Sequence, residues 1–147
     1  MKALYYIING PNLNMLGIRE PEHYGHESYS DLVDLLNEKA DELGIAVEVF
    51  QSNHEGTLVD KIQEAYFKGA SGIVINPAAY THTSIAILDA IKSTSLPTVE
   101  VHISKVEERE SFRQISYVSQ VAKKTVTGKG LAGYTEALEF LVKATKK

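Results

Sequence analysis

The chain has 147 residues, 44% of them hydrophobic and 23% charged, with a net charge of -4. That is the make-up of one ordinary globular domain, residues 1–147, and it excludes a basic footprint for nucleic acid, because no Lys/Arg cluster offsets the acidic balance. The absence of cysteine removes disulfides, thiolate metal sites and cysteine nucleophiles together.

The first predicted element is the apolar run ALYYIIN, residues 3–9. Gly10 and Pro11 end it before a signal-type apolar region reaches normal length, and no small-residue cleavage site follows. No later stretch approaches the ~18 consecutive apolar residues of a membrane span. The expectation is a soluble, unprocessed, cytoplasmic protein with no membrane partner. NGPNLNMLGIREPEHYGHE, residues 9–27, is neither strand nor helix and holds Gly10, Gly17, Gly25 and two of the four prolines. Connections in compact domains are mostly ~4–6 residues, and longer ones tend to be lids or binding loops. A lid over about residues 10–27 is therefore expected.

Leu32, Leu35, Leu36, Ala40 and Leu43 then repeat at helical spacing. Ser28 and Asp31 resemble a capping box, and Gly44 stands where a left-handed C-terminal residue belongs. IAVEVFQS (45–52) reads as a strand. A second helix is expected to open at Thr57 with Asp60 three residues on, carrying Ile62, Ala65 and Tyr66 to Gly69. GIVINP (72–77) is a strand, and a third helix follows Thr83 with Ile85, Ile87, Leu88 and Ile91. PTVEVHIS (97–104) and KTVTG (124–128) are further strands, and a last helix from about Gly133 carries Ala137, Leu138 and Leu141. Strand and helix alternate, and runs such as GIVIN suit burial on both faces. The predicted fold is α/β: a flavodoxin-like, doubly wound, five-stranded parallel sheet with helices on both faces.

In such sheets ligands bind beyond the carboxyl ends of the strands, near the switch in strand order. The polar residues there are Asn9, Asn12, Asn14, Arg19 and Tyr24 after the first strand, and Asn76, Tyr80, Thr81 and His82 after the third. After the fourth come Glu100, His102, Ser104, Arg109 and Arg113. Singly, each has a plain structural explanation. Asn12 and Asn14 suit a turn, Glu100 and His102 share a strand face and can satisfy one another, and Arg109 and Arg113 sit i,i+4 among glutamates as on a solvated helix. Collectively they fall after three separate strands at the end the topology nominates. No Gly-rich phosphate loop and no acidic pair for Mg²⁺ accompanies them. Arginines, amides and imidazoles suit a small polar anion, with Arg pairing a carboxylate.

NGPNLNMLGIREPEHYG (9–25), INPAAYTHTSIAILDAI (75–91) and VEVHISKVEERESFRQISYVSQVAKKTVTGKGLAGYTEAL (99–138) resemble the type II 3-dehydroquinate dehydratases, the cofactor-free dehydroquinases of the shikimate and quinate pathways. The resemblance covers nearly the whole chain, in order. It implies elimination of water from 3-dehydroquinate to 3-dehydroshikimate through an enolate, with no cofactor and no metal. It places the general base on Tyr24, its assisting arginine on Arg19, the general acid on His102 with Glu100 orienting or charging the ring, and enolate support on Asn12. Substrate-holding positions fall on Asn76, His82, Ile103, Ser104 and Arg113. Asp89 corresponds to a residue that reaches a neighbouring subunit's site, and the resemblance implies a homododecamer, a tetramer of trimers.

A free tyrosine, with pKa ~10, is a poor base at neutral pH. A guanidinium close by favours the phenolate, typically by ~1–3 units, which is the part the resemblance gives Arg19. The chain departs from the family pattern at Lys105, Glu107, Glu108, Ala78 (where Gly is common) and Lys124, none at the proposed acid, base or anion contacts. Two rivals compete: a non-catalytic flavodoxin-like ligand-binding module, and another cofactor-free lyase or isomerase acting on a cyclic polyol acid. Quinate breakdown is the alternative setting for the same reaction.

Overall fold

A computed structural model describes residues 1–18, 22 and 26–146. Five strands, β1 (Leu4–Asn9), β2 (Ala46–Gln51), β3 (Gly72–Asn76), β4 (Thr98–Val101) and β5 (Lys124–Val126), form one sheet in the order β2-β1-β3-β4-β5. Every pairing is parallel. The predicted five-stranded, doubly wound sheet is the one observed. The order reverses between β1 and β3, which opens a crevice above their carboxyl ends.

Strand periodicity explains the two cores. Tyr5 and Ile7 of β1 point to one face with Val74, Val99 and Val101, while Tyr6 and Ile8 point to the other with Ile73 and Ile75. Helices α1 (Tyr29–Leu43) and α4 (Ala132–Thr145) cover the first face through Leu32, Leu36, Tyr134, Leu138 and Leu141. Helices α2 (Glu55–Phe67) and α3 (Ile85–Thr94) cover the second through Leu58, Ile62, Ile87 and Ile91. Each fully buried Leu or Ile contributes roughly 1.5–3 kcal/mol, so these two layers hold the strand ends in place.

Caps decide the helix starts. Ser28 accepts from Asp31 N–H while the Asp31 carboxylate accepts from Ser28 N–H, and Gly44 closes α1 with φ 68°; both features were predicted. The expected start of α2 at Thr57 is wrong. The helix begins at Glu55 after His54, with no side-chain cap, so Thr57 lies inside its first turn. Helix α3 is capped by Ser84, whose Oγ accepts from Ile87 N–H.

The predicted strand over 97–104 is shortened to four residues. His102 N–H still donates to Val126 O at 2.8 Å, but β5 stops at Val126 and the chain beyond follows the turn at Gly128. Residues 102–104 therefore stand at the crevice as strand-end groups. The Arg109–Arg113 region is not a solvated helix either: it forms two short 3₁₀ turns, Val106–Glu108 and Ser111–Arg113.

At the switch point the ends of β1 and β3 nearly touch. Gly10 N–H donates to Asn76 O at 2.8 Å, and a Cβ on Gly10 would lie 2.4 Å from Pro77 O. Only glycine fits there.

Candidate active site

The loop after β1 is anchored at its start. A 3₁₀ turn at Leu13–Met15 buries Leu13 and Leu16 in the core. Asn12, just ahead of it, takes the left-handed conformation at φ 70°. Its N–H donates to Asn53 Oδ1 at 3.0 Å, and Gln51 Nε2 holds Gly10 O at 3.1 Å. Residues of β2's end thus place Asn12. Arg19 and Tyr24, together with the rest of the expected lid at 20, 21, 23 and 25, lie outside the described residues.

After β3 the chain turns sharply. Asn76 is buried, and its Oδ1 accepts from Ala78 N–H at 3.0 Å. Its Nδ2 donates to Tyr134 Oη at 3.0 Å, and Tyr134 donates in turn to Asn9 Oδ1 at 2.6 Å. With the oxygen and one amide hydrogen spent, Asn76 keeps one N–H for the crevice. Ala78 sits at φ 52°, a left-handed geometry that penalises any residue with a Cβ. That is a physical reason for glycine to be common at this position.

After β4 stands the charged part of the site. Glu100, 1% exposed, accepts from His102 Nε2 at 2.5 Å and Ser116 Oγ at 2.8 Å on one oxygen, and from Ser119 Oγ at 2.7 Å and Thr125 Oγ1 at 3.4 Å on the other. Burial drives its carboxyl upward, but the His102, Ser119 and Ser116 bonds outweigh it and hold the group below the usual carboxylate range. With Nε2 committed, Nδ1 is the imidazole nitrogen His102 has left.

His82 is fixed differently. Its Nδ1 lies 2.8 Å from Ile115 O, and a carbonyl can only accept, so Nδ1 carries the hydrogen. Burial lowers the His82 pKa, the Ile115 bond opposes this, and the charges of His102 and Arg113 lower it further. A neutral His82 presents Nε2 as an acceptor.

These groups meet around a cavity of about 130 Å³ lined by Asn12, Asn76, His82, His102, Ile103, Ser104, Arg109 and Arg113 among others. Seven of the predicted site residues are therefore brought together. Glu100 lies behind the wall rather than on it, and Asp89 is on the exposed face of α3, away from this chain's cavity. Arg113 spends Nε on Glu110 Oε2 at 3.1 Å and lies over the Phe112 ring. Arg109, one of the strand-end polar residues, has a side chain only 6% exposed, with Nη1 3.4 Å from Ser104 Oγ and Nε 3.4 Å from Glu110 Oε1. Two guanidinium groups beside imidazole and amide groups are the chemistry that suits a small anion such as a carboxylate.

Sequence reading missed Ser116, Ser119 and Thr125 as partners of Glu100, and Tyr134 as the link between Asn9 and Asn76. Tyr134 looks like an ordinary apolar position of α4. The serines lie 16 and 19 residues beyond Glu100, and no local pattern ties them to it. Among the described residues no cluster of three or more His, Asp or Glu is placed to hold a metal, and no helix is long and apolar enough to cross a membrane.

The sheet order and strand-end cavity define a flavodoxin-like α/β protein whose cavity is lined by arginines, imidazoles and amides. Residues 3–142 match the class II dehydroquinase family, and the chain belongs to it. It is 52% identical to a 3-dehydroquinate dehydratase of Lachnospira eligens over 148 residues, covering 100% of this chain and 99% of that protein. The crystal structure of a type II dehydroquinase from Butyrivibrio crossotus superposes with a TM-score of 0.94 at 54% identity, covering 95% and 97% of the two chains. That of the Propionibacterium acnes enzyme gives 0.92 at 43%, covering 97% and 98%.

Proposed function

We propose that the strand-end cavity is where this chain carries out its family's reaction. The chain is a hydro-lyase of the shikimate pathway: it removes water from 3-dehydroquinate to give 3-dehydroshikimate through an enolate. The observation that carries the site assignment is His102 on the cavity wall, held by a saturated, ionised Glu100.

Loss of water needs a proton taken from C2, an oxyanion supported at the ketone and a proton given to the C1 hydroxyl. Hydroxide is a poor leaving group, so the last step needs an acid. His102 serves as that acid through Nδ1, its Nε2–H bonded to Glu100. Glu100 has two donors on each oxygen, which fills its lone pairs. It therefore orients His102 and stabilises the imidazolium instead of taking a proton from substrate. Asn12, held in place by Asn53, supports the enolate oxygen, where a fixed dipole costs no reorganisation. Arg113 holds the carboxylate, with Arg109 adding positive charge to the same wall. His82 Nε2 accepts from a substrate hydroxyl, the spare Asn76 N–H donates to another oxygen, and the Ile103–Ser104 backbone completes the wall.

Tyr24 as the base and Arg19 as its activator rest on the sequence motif, as does a lid within residues 10–27 of a single catalytic domain. Asp89, exposed on α3, fits a role toward a neighbouring copy, consistent with a homododecamer built as a tetramer of trimers, in the cytoplasm. Purified protein mixed with 3-dehydroquinate is expected to develop the ultraviolet absorbance of a conjugated enone. No signal across the neutral pH range would remove the function.

A further inference from the structure

The loop between the second 3₁₀ turn and β5 carries no group that lines the cavity beyond Arg113, yet from behind it touches His82 and Glu100, the partner of His102. Ile115 O accepts from His82 Nδ1, and Tyr117 N–H donates to Thr81 O at 3.1 Å. Val118, 1% exposed, pins the segment into the core beneath α3. On either side of that pin, Ser116 and Ser119 each donate a hydroxyl to Glu100, one to each carboxylate oxygen. Ser119 N–H donates back to Ser116 Oγ at 3.2 Å, which aligns the two hydroxyls as one unit.

We propose that Ser116 and Ser119 are positioning residues for the dehydration: a hydroxyl clamp that keeps Glu100 ionised and thereby keeps the proton of the pair on His102. The proposal rests on the assignment of His102 as the acid. The Glu100–His102 pair can share one proton in two ways, as carboxylate with imidazolium or as carboxylic acid with neutral imidazole. A buried carboxylate is costly unless its lone pairs are met, and charge-assisted bonds from hydroxyls meet them. Removing those donors favours the neutral pair. Total charge and packing stay the same, but a neutral imidazole is far too weak an acid to protonate a leaving hydroxide. Neither serine lines the cavity, and Ser119 is exposed. A structural role alone would therefore leave turnover unchanged.

The test compares the wild-type chain with Ser116→Ala, Ser119→Ala, the double alanine variant, Ser119→Thr and His102→Ala, following enone formation and the ¹³C titration of the Glu100 carboxyl. The double alanine variant is expected to lower kcat by roughly tenfold to a hundredfold, part of the ~10²–10⁴ a general acid supplies, with KM little changed. The Glu100 titration moves to higher pH, and Ser119→Thr, which keeps the hydroxyl, retains most of the turnover. Should an alanine variant not fold, the threonine variant's carboxyl titration and kcat still decide, since loss of both with the hydroxyl present overturns the clamp. Unchanged kcat in a folded double alanine variant, while His102→Ala abolishes turnover, overturns the clamp alone. Normal turnover in His102→Ala overturns the acid assignment, and the clamp with it.

Discussion

Two hydrogen-bond networks stand behind the cavity, one beneath β4 and one beneath β1 and β3. The first is charged: Glu100, His102 and three hydroxyl groups. The second is neutral: Asn9, Tyr134 and Asn76, with Tyr134 fully buried. Both hold a residue at the cavity, but for different ends. A group that gives up a proton needs a neighbour whose charge sets its protonation state, and a carboxylate does this. A group that only fixes an oxygen needs constant shape, and amides and a phenol give that without any titration near neutral pH. Burial pushes the Tyr134 hydroxyl well above the ordinary tyrosine range, so it stays a neutral donor.

The sharpest way to break this contrast is Glu100→Gln. It keeps the shape and removes the charge, so kcat is expected to drop by roughly a hundredfold, within the range a general acid contributes. KM should hardly move, because Glu100 does not line the cavity; a variant losing affinity but not turnover would place Glu100 in binding. Tyr134→Phe tests the neutral network. It leaves Asn9 Oδ1 and Asn76 Nδ2 without their partner and should cost about 1–3 kcal/mol of stability, measured by denaturant unfolding. Kinetically the effect should be a higher KM with kcat largely kept, since Asn76 positions substrate and moves no proton.

The smallest effect is on stability against pH. Glu100 and His82 both have folded-state pKa values depressed below their ordinary 4.5 and 6.5. For a depressed group the contribution is complete above the unfolded value and is lost as pH falls through the folded one. The melting temperature should therefore be insensitive to these groups above about pH 6.5, weaken slightly on acidification through the His82 range, and fall further below about pH 4.5. The Glu100→Gln variant should lack the lower step. Rising stability on acidification would contradict both assignments.

Much of this site was legible because strand-end chemistry is local. His102 two residues after Glu100 on one strand face, Asn76 at the end of a buried apolar run and Asn12 within a Gly/Pro-rich loop are short-range patterns, and the topology nominates those ends. The i,i+4 spacing of Arg109 and Arg113 also fits a solvated helix, and only the fold decides against it, because the chain there winds as 3₁₀ turns around the cavity. The start of α2 was misplaced because Thr57 and Asp60 copy a capping pattern that tertiary packing overrides.

By itself the sequence determined the alternation of strands and helices, the buried parallel sheet and the end of it that carries chemistry, since periodicity and turn residues act over a few positions. Only the tertiary structure decided what stands behind each functional group. Ser116, Ser119 and Thr125 reach Glu100, and Tyr134 reaches Asn9 across 125 residues of chain. Such partners are chosen by how the layers pack around the sheet, and no short-range pattern records that choice.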